Sequence, residues 1–226
     1  MNEIDNDSWL PISNPSEIKW DTEKFVDLFY ISIDQHKALL SYEYVLSADE
    51  LAYCNSFIKK IDQQVKKVGK IVTRLLLSHY THIAPEALCI DRTQYGKPYC
   101  VQMPTIQFNA SDAGDAILLV ISPEEVGVDM ELHNQSFIYT DIVADYFTAT
   151  EIAHVNNSIN PLKAFYSIWV KKESILKAIG TGFGSLDIDE RGWDTRIYQH
   201  NDYSIGITTS SSNYTLRFFK YLAVKS

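Results

Sequence analysis

Two stretches of this chain have the residue types and spacing to hold a cation and move a proton. The first is Gly127-Val128-Asp129-Met130-Glu131. Val126, Val128 and Met130 alternate with Gly127, Asp129 and Glu131, which is the period of a half-buried strand. Asp129 and Glu131 then point the same way, roughly 7 Å apart along the strand. Two carboxylates beside a glycine suit a hard cation with oxygen ligands; Mg²⁺ on a phosphorylated substrate typically uses one or two protein carboxylates and keeps waters. A D-x-E pair is also common on the polar outer face of a strand, so this stretch is weak on its own.

The second stretch is PLKAFYSIWVKKESILKAI, residues 161–179. Asn160 is a good N-cap, Pro161 suits the first helical position, and Gly180 suits the left-handed residue past the end. Leu162, Phe165, Ile168, Trp169, Leu176 and Ile179 make a broad apolar stripe. Glu173 follows Trp169 by four residues and falls near the edge of that stripe. A carboxylate there has a partner or a site to serve, because leaving it desolvated and alone is costly. Lys177 lies one turn further on, and a surface Glu–Lys pair worth a few tenths of a kcal/mol is the alternative.

The elements that must position these residues can be read in order. Residues 1–20 read as a poorly ordered lead-in with Trp9 and Trp20 as anchors. Residues 25–34 alternate and read as a strand. Ser47-Ala48-Asp49-Glu50 is a capping box opening a helix toward Phe57. Residues 61–80 form a long amphipathic helix. Short strands are predicted at 87–92, 99–101 and 106–110, with a loop at Ser111-Asp112-Ala113-Gly114. Ala116–Ser122 reads as a buried strand, and 126–131 follows after a Pro-Glu-Glu turn. A helix over 136–146 precedes a second capping box at Thr148-Ala149-Thr150-Glu151. After the 161–179 helix come strands at 184–189, 194–199, 203–208 and 214–224.

Composition bounds the answer. Hydrophobic residues make up 46% of 226, with 9 Gly and 7 Pro, which excludes a disordered chain. There is no run of roughly 18 apolar residues for a membrane span. The N-terminal MNEIDNDSWLP lacks a secretory n- and h-region, so a cytoplasmic protein is expected. Cys54, Cys89 and Cys100, widely spaced and odd in number, suggest reduced thiols in or near the core. A net charge of −9 disfavours nucleic acid and requires any phosphate site to be local. His79 and His82 lack a third spaced ligand, and there is no P-loop or GxGxxG.

Together, GVDME and, about forty residues on, WVKKESILK resemble the 4′-phosphopantetheinyl transferases of the surfactin-synthetase-activating type, marked by G-[IV]-D-x-E and W-x-x-K-E-[SA]-x-x-K. Tyr95-Gly96-Lys97-Pro98, Phe108-Asn109-Ala110-Ser111, Phe147-Thr148 with Thr150-Glu151, and Tyr221-Leu222-Ala223-Val224 match in order and spacing. The resemblance implies an α+β fold of two pseudo-symmetric subdomains, each a small antiparallel sheet packed on a long helix, with the active site in the cleft between them. We place the division at 1–123, the coenzyme A side, and 124–226, the metal and catalytic side.

The reaction implied is Mg²⁺-dependent transfer of 4′-phosphopantetheine from coenzyme A (CoA) to a serine of an acyl or peptidyl carrier protein. Asp129, Glu131 and Glu173 would hold the metal. Glu173 would be the base and Lys177 would hold the pyrophosphate or leaving group. Lys97, Ser111, Asp112, Lys172 and Lys177 would line the CoA site, with Trp169 on the same wall. A carrier would dock near 136–150, where Phe137, Ile142 and Phe147 offer apolar contact or belong to the core. No nucleic-acid or membrane partner, and a monomer, are expected. Departures concern the adenosine 3′-phosphate. Relatives hold it with cations whose positions here are Glu50, Tyr53 and a residue near Val65, and with a histidine whose position is Asp112. Lys66, Lys67 or Lys70 would have to substitute. Three alternatives therefore stay open: a donor preference relaxed toward dephospho-CoA, a catalytically weak carrier-binding accessory protein, and a metal-dependent transferase for another phosphorylated donor.

Overall fold

The computed structural model describes residues 2–19, 24–181 and 190–222. Its strands are β1 (Asn2–Glu3), β2 (Leu10–Ile12), β3 (Phe25–Ser32), β4 (Ile90–Arg92), β5 (Pro98–Cys100), β6 (Gln107–Ala113), β7 (Ala116–Ser122), β8 (Val126–Leu132), β9 (Asp194–His200), β10 (Tyr203–Thr209) and β11 (Thr215–Tyr221). Its helices are α1 (Ala48–Asn55), α2 (Lys60–Thr81), α3 (Thr140–Tyr146), α4 (Ala149–Asn157) and α5 (Pro161–Ile179). Both capping boxes expected from the sequence form, at Ser47 with Glu50 and at Thr148 with Glu151. Asn160 caps α5 by accepting from the Lys163 N–H, and Gly180 ends it at φ 77°.

Side-chain alternation sorts the strands into layers. In β3 and β7, Phe25, Phe29, Ile31, Ile117, Leu119 and Ile121 pack with Val68, Ile71, Val72 and Leu76 of α2. The intervening Val26, Leu28, Leu118 and Val120 pack with Val126, Val128 and Met130 of β8 and Ile205 and Ile207 of β10. So β3 is buried on both faces, because a helix covers one side and a second sheet the other. One sheet has the order β2-β11-β3-β7-β6 and the other β1-β9-β10-β8, with α5 on the free face of the second. The fold is α+β. The pairs β3–β7, β6–β7, β8–β10 and β9–β10 are antiparallel, whereas β1 joins β9, and β11 joins β2 and β3, in parallel.

The lead-in is ordered over residues 2–19, contrary to expectation. Its two short strands each complete a sheet edge, and Ile4, Trp9, Ile12 and Ile18 are buried. Trp9 is an anchor, as expected, packed against Tyr30, His200 and Phe218. Trp20, Gly182, the predicted strand 184–189 and the residues 223–224 lie outside the described residues. Buried Asp27 on β3 accepts two bonds from Arg217 on β11, at 2.7 and 2.8 Å, and the Tyr80 hydroxyl of α2. That charge is fully paired, as a buried carboxylate must be.

Three further readings are corrected. Ser111, Asp112 and Ala113 continue β6 instead of forming a loop; the turn comes at Gly114–Asp115. The helix expected over 136–146 is only α3, because Ser136 is spent on an Asn134 side-chain turn. Cys89 is exposed, while Cys54 and Cys100 are buried thiols.

Candidate active site

Asp129 and Glu131 stand on the α5 side of β8, together with Gly127. Glycine lets the helix settle directly on the strand: a Cβ on Gly127 would sit 2.2 Å from the Ser174 carbonyl oxygen and 2.3 Å from the Ala178 nitrogen. Gly206, opposite Asp129 on β10, does the same beneath Val170. The face of α5 on the sheet is therefore Val170, Ser174 and Ala178, small residues outside the apolar stripe. Phe165 and Tyr166 instead pack with Phe147 and Val155. The stripe misplaces the buried face because glycine, which carries no hydrophobic signal, sets the contact.

This packing brings Glu173 and Lys177 beside the strand carboxylates. Lys177 reaches across to Asp129, with Nζ 2.7 Å from Oδ1 and 3.2 Å from the Ser111 hydroxyl. Asp129 is buried, and its Oδ2 has no hydrogen-bond partner. The Trp169 side chain lies beside Glu131 and, with Lys177, favours its ionised form. Burial, then the charge of Asp129, pushes the Glu131 carboxyl up to about 7. Burial, Asp129 and Glu131 push Glu173 to about 7 as well, against the opposing pull of Lys177. The three carboxylates thus feel one another, although among the described residues no three His, Cys, Asp or Glu side chains close into a metal cage.

The donor chemistry nevertheless fits Mg²⁺. An unpartnered buried carboxylate oxygen and two acids kept from ionising by burial and then by like charge are what a divalent cation would relieve. Mg²⁺ commonly takes only one or two protein carboxylates and completes its shell with phosphates and waters. The sign of the pH effect follows. A carboxyl whose folded pKa is raised contributes stability that is full below about 4.5 and is lost as pH rises through about 7. The EDTA-treated protein should lose thermal stability over that range, and the Tm gain from Mg²⁺ should grow with pH. Scanning fluorimetry from about pH 5 to 8 with EDTA or Mg²⁺ checks this; a pH-independent gain contradicts it.

Glu173 and Lys177 line a cavity of about 350 Å³ that α2, the β4–β5 turn, β6 and α5 enclose. Its wall carries five cations, Lys66, Lys70, Arg92, Lys97 and Lys177, against three carboxylates, Glu50, Asp112 and Glu173. A chain of net charge −9 therefore has a locally cationic cavity. The two acids that look hostile to phosphate are both paired. Asp112 takes Lys66 at 2.7 Å. Glu50 takes buried Arg74 at 2.7 Å and Lys70 at 3.8 Å.

Other residues expected at the site stand elsewhere or are already engaged. Lys172 is absent from the cavity wall; it pairs with Glu151 at 3.0 Å and lies over the Phe147 ring, pinning α4 to α5. Lys67 pairs with Glu43. Lys97 does line the cavity, but its buried ammonium bonds Glu125 at 2.5 Å and the Ala178 carbonyl at 2.6 Å. It thereby satisfies a carbonyl in the last turn of α5. Lys97→Met should cost about 1–3 kcal/mol, the range for orphaning a buried acceptor, measured by urea unfolding. Phe147 and half-buried Ile142 belong to the cluster around Phe165, on which Phe137 packs. Sequence reasoning misses Arg92 and the partners of Glu131 and Asp129. The four-residue spacing of Lys66 and Lys70 is the one available hint of a cationic helix face.

Comparisons agree with the motifs. Residues 125–220 match the family described as the 4′-phosphopantetheinyl transferase superfamily, and residues 32–124 match the 4′-phosphopantetheinyl transferase N-terminal family. A 4′-phosphopantetheinyl transferase of Bacillus subtilis is 28% identical over 146 residues, 64% of this chain and 64% of that relative. The 4′-phosphopantetheinyl transferase Sfp of B. subtilis strain 168 is 24% identical over 184 residues, 80% of this chain and 79% of Sfp. The L-aminoadipate-semialdehyde dehydrogenase-phosphopantetheinyl transferase of Xenopus laevis is 31% identical over 137 residues, 54% of this chain and 45% of that protein. The two family matches together run without a break from the last residue of β3 into β11, and the chain belongs to the 4′-phosphopantetheinyl transferase superfamily.

Proposed function

We propose that the protein transfers 4′-phosphopantetheine from CoA to a serine hydroxyl of an acyl or peptidyl carrier protein, with Mg²⁺ as cofactor. The observation that carries this reading is that Asp129 and Glu131 meet Glu173 and Lys177, which themselves line a cavity whose wall carries more cations than carboxylates in an acidic protein. Asp129, Glu131 and Glu173 would hold the cation, and residues 1–123 and 124–226 would supply the donor side and the catalytic side. When bound, Mg²⁺ neutralises the pyrophosphate and draws charge from the phosphoryl centre.

The chain's own residues do the rest. The serine oxygen forms a bond to the phosphorus carrying pantetheine, the pyrophosphate P–O bond breaks, and 3′,5′-adenosine bisphosphate leaves with the electron pair. Glu173, beside the strand carboxylates and on the cavity wall, takes the serine proton as general base. Lys177, one turn along, offsets charge on the leaving group. Lys66, Lys70 and Arg92, which line the same cavity, are the further cations available to the donor phosphates. The direct test is chromatography for 3′,5′-adenosine bisphosphate. Its release should require CoA, an apo carrier and the carrier's serine; release independent of the serine overturns the reading.

A second reading, relaxed donor preference, has one observation in its favour. Lys66 and Lys70 already face Asp112 and Glu50, so a 3′-phosphate must compete with carboxylates for them. Each charge-assisted contact is worth about 1.5–3 kcal/mol, so weakening two narrows the advantage of CoA over dephospho-CoA. Loss of kcat/KM on dephospho-CoA as large as in the B. subtilis relatives refutes it.

A further inference from the structure

Ser111 lies buried where the edge of one sheet meets the edge of the other, and its hydroxyl is fully subscribed. It donates to Oδ1 of Asp129 at 2.9 Å. It accepts from the Met130 N–H at 3.3 Å and from the Lys177 ammonium at 3.2 Å. A hydroxyl offers one donor and two acceptor lone pairs, so nothing remains for a phosphate. Two residues earlier on the same face of β6, the Asn109 side chain accepts the Val128 N–H at 3.1 Å. Asn109 and Ser111 thus supply the acceptors that the outer edge of β8 needs. The β6 side chains at this seam are committed to holding β8.

The consequence falls on Asp129. Its Oδ1 receives both Ser111 and Lys177, while Oδ2 is buried and unpartnered. A buried carboxylate oxygen without a donor is costly unless a ligand meets it. We propose that Ser111 is a positioning residue: its hydroxyl fixes the rotation of the Asp129 carboxylate so that Oδ2 is presented to a divalent cation, and it does not grip the donor's phosphates. This rests on the transferase reading of the same site and departs from the donor-contact role that the motif resemblance implies for Ser111.

The test measures metal and donor separately on the full chain. Mn²⁺ binding to metal-free protein is followed by electron paramagnetic resonance for wild type, Ser111→Ala, Ser111→Thr and Asp129→Asn. KM for CoA is measured at saturating Mg²⁺ for the same set. Loss of an outer partner of a metal ligand typically weakens affinity about 10–100-fold, and that is the loss expected for Ser111→Ala. Ser111→Thr, which keeps the hydroxyl, should restore most of it, and KM for CoA should stay at the wild-type value. A raised KM with unchanged Mn²⁺ affinity overturns the proposal, as does equal weakening in Ser111→Thr with its thermal stability intact. If Ser111→Ala weakens Mn²⁺ binding but wild type modifies no carrier, the positioning role stands and the transfer reading falls. If wild type modifies carriers without binding Mn²⁺, the reverse holds.

Discussion

Glu173→Gln is expected to lower carrier modification by about 10²–10⁴-fold, the range for losing a positioned general base. The same substitution is expected to stabilise the metal-free protein at about pH 8. Glu173 is held near pKa 7 by burial and by Asp129 and Glu131, so its ionised form is a strained species in the folded state. The wild type loses stability as pH rises from about 4.5 through about 7, because the unfolded chain releases the proton first. The amide does not titrate. The stability difference should therefore vanish near pH 4.5 and be full above pH 7, read from urea midpoints in EDTA across that range. Reduced activity with unchanged or lower stability at the alkaline end would mean that Glu173 is instead a satisfied partner of Lys177.

Gly127→Ala should damage both fold and catalysis, although it adds one methyl. The new Cβ would meet backbone atoms of Ser174 and Ala178, which cannot rotate aside, so α5 as a whole must lift from β8. Overpacking of this kind costs about 1–3 kcal/mol. The larger effect is geometric. Glu173 and Lys177 travel with the helix while Asp129 and Glu131 stay on the strand, and a shift of about 1 Å in a catalytic constellation costs on the order of 10²-fold. Gly206→Ala, under Val170 on the neighbouring strand, should behave alike. Urea unfolding and kcat measured in parallel check this. Wild-type kcat in a folded Gly127→Ala protein would show that the helix-to-strand spacing does not set the site.

How much of this is legible in the sequence depends on whether the deciding partner is local. Capping boxes, the α5 bounds and the strands β7 and β8 are readable because caps, apolar runs and periodic patterns act within a few residues. The lead-in misleads because its order comes from edge pairing with strands distant in sequence, β1 with β9 and β2 with β11. At the site, Asp129, Glu131 and Glu173 are only weak candidates by residue type and spacing, and it is the resemblance of the two motifs to a family that joins them with Lys177 into one expected site. What each touches is not readable from the sequence. Lys177 turns to Asp129, Lys172 turns away to Glu151, and Lys97 serves a helix end. Ser111 reads as a loop residue because Gly114 follows it, yet with Asn109 it is one of the strand residues that join the two sheets. Charge balance misleads most: Glu50 and Asp112 look repulsive until Arg74 and Lys66 are placed beside them.

The measurement to make is the intact mass of an apo carrier protein incubated with CoA in three tubes: wild type with Mg²⁺, wild type with EDTA, and Glu173→Gln with Mg²⁺. A phosphopantetheine-sized gain in the first tube only is the expected result. It would tie transfer to the cation and to the carboxylate on α5 together. An equal gain in all three tubes would contradict the assignment of Asp129, Glu131 and Glu173 to a metal-dependent site, and no gain in any tube across several carriers would contradict the transfer itself.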